Sequence, residues 1–117
     1  FGGGPLACTA ALTTLQVMAD YDLLDHADRL GKFIRADLAT RLQGLAGVRQ
    51  IRGQGLMIGI ELDRPCGDLV RQALSEKMLI NVTNDTVVRL LPPLVMKQEE
   101  AALLSEKLAR LIRAFLE

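Results

Sequence analysis

Residues 48–62, VRQIRGQGLMIGIEL, decide the fold of this chain. A strand over residues 56–62 places every second side chain on one face, and that face is apolar: Leu56, Ile58, Ile60 and Leu62. Residues 48–53 are predicted to be the partner strand, because Gly53-Gln54-Gly55 allows a tight connection between the two. The sequence therefore predicts a β-hairpin with one buried face near the middle of the chain.

Two helices are predicted before this hairpin. The first, from residue 5 to about residue 19, carries small or apolar residues on nearly every side, which is typical of a helix packed between layers. The second, from about residue 22 to residue 43, repeats apolar residues at helical spacing, with Asp22 as its expected N-cap. Gly44 is expected to end it, and its polar face, which includes Arg35, is expected to face solvent.

Four further elements are predicted after the hairpin. A helix over residues 68–77 is followed by short strands over residues 79–82 and 86–91, which a turn at Asn84-Asp85 connects. A last helix is predicted over residues 98–116. The element order ααββαββα predicts an α+β domain in which helices pack on a small, largely antiparallel sheet of about four strands.

The composition is that of one ordinary domain and argues against several classes of protein. Of the 117 residues, 14 Lys and Arg balance 14 Asp and Glu, and no Trp and one Tyr are present, so a nucleic-acid partner is not expected. Apolar runs fall short of the roughly 20 residues that cross a membrane, and no secretion signal is apparent, so we expect a cytoplasmic protein. Cys8 and Cys66 are expected to be buried or half-buried thiols. Glu106 and Arg110, four residues apart, are expected to pair.

Few residues are arranged for catalysis. His26 has no Ser or Cys nucleophile near it in the pattern and is predicted to be a surface histidine. No closely spaced His, Cys or carboxylate residues indicate a metal site, and neither a Walker loop nor a dinucleotide-binding motif is present. The glycines at positions 2–4 resemble a phosphate-binding loop only in preceding a helix.

Arg89 is the residue with the strongest physical signal. It interrupts an otherwise apolar strand, just before Pro92-Pro93, and alternation places it on the face of Val87 and Leu91. A guanidinium matches a carboxylate with two parallel hydrogen bonds, so a substrate carboxylate is one candidate partner. An edge strand with Arg89 facing water, or a structural ion pair, is the alternative. Arg52 is predicted to be structural.

Three motifs together resemble, in order and spacing, the C-terminal segment of class III pyridoxal-phosphate-dependent aminotransferases. They are FGGGPLAC at residues 1–8, IRGQGLMIGIEL at residues 51–62 and VRLLPPL at residues 88–94. The resemblance covers essentially the whole chain. It implies that residues 1–117 form the small C-terminal domain of a fold type I aminotransferase, whose large cofactor-binding domain would precede Phe1.

The resemblance also implies an activity. It is strongest to family members that transfer the terminal amino group of N-acetylornithine to 2-oxoglutarate in arginine biosynthesis, as homodimers containing pyridoxal 5'-phosphate. Members acting on ornithine, succinylornithine or other ω-amino acids are alternatives. A non-catalytic α+β module that binds an amino acid, or a dimerisation module, is the alternative from another class.

Site residues follow from the resemblance only where the motifs match. Arg89 occupies the position of the family arginine that binds a substrate carboxylate. Phe1 and Gly2 belong to a loop that lies near the cofactor phosphate in the family, whereas Gly4 replaces the usual Asn of that loop. Transamination needs a lysine in Schiff base with the cofactor. Lys32 and Lys107 lie on polar helix faces, Lys77 ends a helix and Lys97 precedes one, so no catalytic residue is expected in this chain.

Overall fold

The computed structural model describes the backbone of residues 10–93 and 95–117, and within these ranges the side chains from Leu23 onward. Three helices and four strands follow one another in this part of the chain. They are α1 (Ala10–Arg41), β1 (Val48–Gln54), β2 (Met57–Leu62), α2 (Asp68–Ser75), β3 (Asn81–Thr83), β4 (Val87–Leu90) and α3 (Gln98–Leu116). The predicted α+β class with a four-stranded antiparallel sheet is confirmed. None of the described helices is long and apolar enough to span a bilayer.

The prediction of two helices before the hairpin is wrong, because α1 is one continuous helix of 32 residues. The segment Asp20-Tyr21-Asp22 contains neither proline nor glycine, so nothing in it interrupts the backbone hydrogen bonds and Asp22 is not an N-cap. The apolar pattern changes there without a break in the helix. The described order is therefore αββαββα, and the predicted helical residues 5–9 lie outside the described part. Gly44, with φ of 87°, follows the end of α1 as predicted.

The central hairpin forms as predicted, but its turn is shorter and lies later in the chain than the predicted Gly53-Gln54-Gly55. Strands β1 and β2 pair antiparallel, and Gln54 lies opposite Met57, so Gly53 belongs to β1 and the turn is Gly55-Leu56. Gly55 has φ of 56°, a left-handed conformation that favours glycine. The predicted apolar face is buried: Leu56, Ile58, Ile60 and Leu62.

The second hairpin places β4 inside the sheet. Asn84 and Asp85, with φ of 52° and 65°, form the predicted turn between β3 and β4, and both residue types tolerate this conformation. The sheet order is β1-β2-β4-β3, so β4 hydrogen-bonds on both sides. The alternative that Arg89 lies on an edge strand is therefore wrong.

The core lies between one face of the sheet and helices α1 and α3. Its fully buried large side chains come from every layer: Ile34 and Leu38 of α1, Ile58, Ile60, Leu62 and Val88 of the sheet, Leu69 of α2, and Leu108 and Ile112 of α3. The other face of the sheet carries Arg52, Glu61 and Arg89, which are exposed or half-buried, together with the buried Val87.

Helix α3 has the predicted bounds but not the predicted ion pair. The Arg110 guanidinium lies 2.8 Å from the Glu76 carboxylate, at the C-terminal end of α2, and does not pair with Glu106. The tertiary contact between α2 and α3 brings Glu76 within reach, whereas a pair within one helix contributes only about 0.3–0.5 kcal/mol.

Candidate functional site

Arg89 belongs to a row of four residues that crosses the sheet. Arg52 of β1 lies opposite Gly59 of β2, Gly59 lies opposite Arg89 of β4, and Arg89 lies opposite Asn81 of β3. Residues directly opposite each other in an antiparallel sheet share a face. Because Gly59 has no side chain, the two arginines, about 10 Å apart at their Cα atoms, flank a depression in the sheet surface.

The Arg89 guanidinium is exposed and has no anionic partner in the part of the chain that the structure describes. Its one hydrogen bond to a described side chain runs from Nη2 to the Met57 Sδ, 3.5 Å away. A thioether is a weak acceptor, so most of the five donors of the guanidinium stay free. The alternative of a structural ion pair for Arg89 therefore has no support among these residues.

Two grooves meet at Arg89. The first, of about 530 Å³, is lined by Met57, Leu79, Ile80, Asn81, Leu90 and Leu91. The second, of about 430 Å³, contains the depression above Gly59 and is lined by Arg52, Gly53, Gln54, Met57, Thr83 and Val87, among others. Volumes of this size accommodate small molecules. The site therefore combines a free guanidinium with room for a small anion.

The guanidinium of Arg52, in contrast to that of Arg89, has hydrogen-bond partners with oxygen acceptors. Its Nη1 donates to the Glu61 Oε1 and to the Gln50 Oε1, each at 2.9 Å. This arrangement agrees with the structural role predicted for Arg52. A half-exposed ion pair of this kind stabilises a protein by at most about 1 kcal/mol.

The tip of the central hairpin is docked on helix α1 at Gly31. A Cβ atom at Gly31 would lie 1.7 Å from the Gly55 carbonyl oxygen, so only glycine permits this approach. The Arg35 Nη1 donates to the same oxygen at 3.4 Å. Arg35 is half-buried and lies beside Gly53, which corrects the prediction that it belongs to a solvated face. This contact fixes the segment that carries Gln54 and Met57 beside Arg89.

Sequence reasoning missed Gly31 and Met57 as parts of this site. A signal for Gly31 exists, since a glycine inside a helix costs about 1 kcal/mol relative to alanine and needs a packing reason. Met57 gives no such signal, because an exposed methionine in a strand is unremarkable until its neighbours are known.

His26 and the lysines lie apart from the two grooves. His26 was predicted to be a surface histidine, but it is half-buried, and its Nε2 lies 2.8 Å from the Met96 carbonyl oxygen. Lys32 lies 3.2 Å from Asp28, and Lys97 directly precedes α3. Lys77 and Lys107 border a small groove near α2 and α3 that does not include Arg89. None of the four lysines lines a groove at Arg89.

Of the two cysteines, only Cys66 lies in the part of the chain whose side chains the structure describes. The Cys66 thiol is buried and free, as predicted, and its sulfur is 3.6 Å from the Asp85 carbonyl oxygen. Burial raises the pKa of the Cys66 thiol, and the Asp85 charge raises it further. Cys8, Phe1 and Gly2 lie outside the described residues. Within that part of the chain, no cluster of His, Cys, Asp and Glu could hold a metal ion.

Comparisons with known proteins agree on one family. The family model described as aminotransferase class III matches residues 1–112. The chain is 50% identical over 116 residues to acetylornithine aminotransferase 1 of Bordetella pertussis, and 50% identical over 117 residues to acetylornithine aminotransferase of Nitrosomonas europaea. The two matches include 99% and 100% of this chain, respectively. The chain spans 30% of the length of each relative.

Solved structures give the same result for the fold. Ornithine aminotransferase of Toxoplasma gondii superposes with a TM-score of 0.78 at 31% identity, over 90% of this chain and 26% of that one. Acetylornithine aminotransferase of Elizabethkingia anophelis superposes with a TM-score of 0.73 at 25% identity, over 98% of this chain and 34% of that one.

Proposed function

Because this chain belongs to the class III aminotransferase family, we propose that residues 1–117 are the small C-terminal domain of an aminotransferase and that Arg89 binds a substrate carboxylate in it. The observation that carries the proposal is the exposed guanidinium of Arg89, which lies between two grooves and has no carboxylate partner among the described residues. A guanidinium of this kind is free to bind an incoming anion.

The position of Arg89 in the sheet supports this role. Strand β4 is hydrogen-bonded to β2 and to β3, so the backbone beneath Arg89 is held on both sides. Gly59 on one side leaves room above the sheet, and Asn81 on the other side offers a polar neighbour. A rigid backbone with a planar, bidentate donor orients a carboxylate in one direction. Binding in a defined orientation holds the one reacting group of the substrate at a fixed position.

When bound, pyridoxal 5'-phosphate would supply the electron sink for amino-group transfer, a chemistry that also requires an enzyme lysine as nucleophile. The lysines of this chain do not fit that role, because none of them lines a groove at Arg89. We therefore assign no described residue to the cofactor. The proposal is that the lysine that binds the cofactor, and the acid that pairs with the pyridine nitrogen of the cofactor, belong to a large domain outside these 117 residues. Phe1 and Gly2 are proposed to lie near its phosphate.

The proposed substrates follow from the relatives. The two relatives at 50% identity are named acetylornithine aminotransferases, so we propose N-acetylornithine as amino donor and 2-oxoglutarate as acceptor, a step of arginine biosynthesis. Ornithine is the alternative donor, since the Toxoplasma gondii structure with a TM-score of 0.78 is an ornithine aminotransferase. A cytoplasmic homodimer is part of the same proposal.

Arg89→Lys in the full-length enzyme tests the role of Arg89. Lysine keeps the charge but not the bidentate geometry, and a lost charge-assisted hydrogen bond costs about 1.5–3 kcal/mol. We expect kcat/KM for 2-oxoglutarate to fall about ten- to a hundredfold. The melting temperature should change little, because Arg89 is exposed.

Arg71→Lys is the matched control. Arg71 is exposed on α2, where its guanidinium pairs with Asp68 away from both grooves, so its replacement should change neither quantity. A large fall in the melting temperature of Arg89→Lys with near-normal kinetics would show a structural arginine instead. Unchanged kinetics for 2-oxoglutarate would remove Arg89 from the site.

A further inference from the structure

Met57 lies where three grooves meet. It is the first residue of β2, the residue is 43% exposed, and it lines both grooves at Arg89. It also borders a third, apolar groove, which is lined by Leu24, Ala27, Gln54, Gly55, Leu56, Leu91, Pro92 and Pro93. Met57 therefore separates the space beside the guanidinium from an apolar surface.

The backbone of Met57 is held in place by close packing. Gln54 pairs with Met57 across the hairpin, and a Cβ atom on Gly53 would lie 2.4 Å from the Met57 carbonyl oxygen. The turn that follows Gln54 is docked on Gly31 of α1. The flexible, unbranched side chain of Met57 thus extends from a rigid backbone, and its reach determines how much room remains beside Arg89.

The Met57 side chain also contacts the group that would bind the substrate. Its sulfur lies 3.5 Å from the Arg89 Nη2. A carboxylate on Arg89 would bring its own carbon chain next to the Met57 side chain. On the basis of the proposed function, we propose that Met57 is a specificity-determining residue: it admits unbranched dicarboxylates to Arg89 and excludes those that are branched along the chain.

The test uses two dicarboxylates that carry neither an amino nor an oxo group and therefore do not react. Glutarate is unbranched, and 3,3-dimethylglutarate is branched at its central carbon. Because both are symmetric, the result does not depend on which carboxylate binds. The dissociation constants are measured by titration calorimetry on the full-length enzyme and on its Met57→Ala, Met57→Leu, Leu74→Ala and Arg89→Lys variants.

Met57→Ala should lower the ratio of the dimethylglutarate Kd to the glutarate Kd about tenfold or more, since one extra methylene group in an apolar pocket changes selectivity by about ten- to two-hundredfold. Met57→Leu, which keeps the volume, should leave the ratio within about twofold of wild type. Leu74→Ala removes an exposed apolar side chain that borders none of the three grooves and should change nothing.

The outcomes separate the two proposals. An unchanged ratio in Met57→Ala, with both ligands weakened by Arg89→Lys, overturns the role of Met57 and leaves that of Arg89. Equal ratio changes in Met57→Ala and Met57→Leu also overturn it, because volume would then not be the cause. If Arg89→Lys weakens neither ligand, the carboxylate does not bind at Arg89, and both the proposed role of Arg89 and that of Met57 fail.

Discussion

Gly31→Ala tests whether the docking of the hairpin on α1 stabilises this fold. The added methyl group would lie 1.7 Å from the Gly55 carbonyl oxygen and 2.7 Å from its carbon. Non-bonded carbon and oxygen atoms stay about 3.3 Å apart or more, so the turn and the helix must separate by about 1.6 Å. Both atoms that the methyl group meets belong to the backbone of Gly55, so no side-chain rotation can relieve the overlap.

The expected loss of stability is about 2 kcal/mol. Overpacking costs about 1–3 kcal/mol, and a contact between two backbone segments belongs at the upper end of that range. The long hydrogen bond from Arg35 to Gly55 is lost as well, whereas alanine restores about 1 kcal/mol of helix propensity. The cost of overpacking exceeds the gain in helix propensity, so we expect Gly31→Ala to destabilise the fold.

Urea unfolding of the chain, followed by far-ultraviolet circular dichroism, measures this difference. With a slope of about 2 kcal/mol per molar urea, the midpoint should fall by about 1 M. Gly67→Ala is the control, since Gly67 has φ of −57° and nothing lies within 4 Å of its added Cβ atom. A Gly31→Ala midpoint equal to or above that of Gly67→Ala would refute the reasoning.

Two further predictions concern the buried thiol and the isolated chain. Because burial raises the pKa of Cys66, its contribution to stability is present below the ordinary thiol pKa and is lost as the pH rises through and above it. Urea midpoints measured from pH 7 to pH 10 should therefore fall more steeply in wild type than in Cys66→Ala, and parallel curves would contradict this. The purified 117-residue chain, supplied with pyridoxal 5'-phosphate, should not convert N-acetylornithine and 2-oxoglutarate, since none of its four lysines lines a groove at Arg89. A spectrophotometric assay that detects turnover by the purified chain would disprove this prediction.

Local signals were enough to predict most elements of this fold. The buried face of β2 follows from strict alternation over Leu56–Leu62, and the turn at Asn84 and Asp85 follows from two residue types that tolerate left-handed backbone. The bounds of α3 follow from helical periodicity after Pro92-Pro93. Each of these depends on residues that are neighbours in the chain.

The errors arose where local patterns are ambiguous. The change of apolar pattern near Asp22 looked like a helix start, but no residue there breaks a helix, and α1 continues through it. The pairing of Arg110 with Glu76 instead of Glu106 depends on the contact between α2 and α3, which no spacing along the chain reveals.

The candidate site, too, was predicted in part from local sequence and in part depends on tertiary contacts. Its central residue, Arg89, was visible as a charge in an apolar strand and as the arginine of a family motif. Its surroundings were not visible, because the strand order β1-β2-β4-β3 places Gly59 and Met57 beside it from a strand more than 25 residues earlier in the chain. Residues so far apart in sequence become neighbours only when the strands pair. The identity of the charged group was thus a property of the sequence, whereas its free donors and the space around them are properties of the packed sheet.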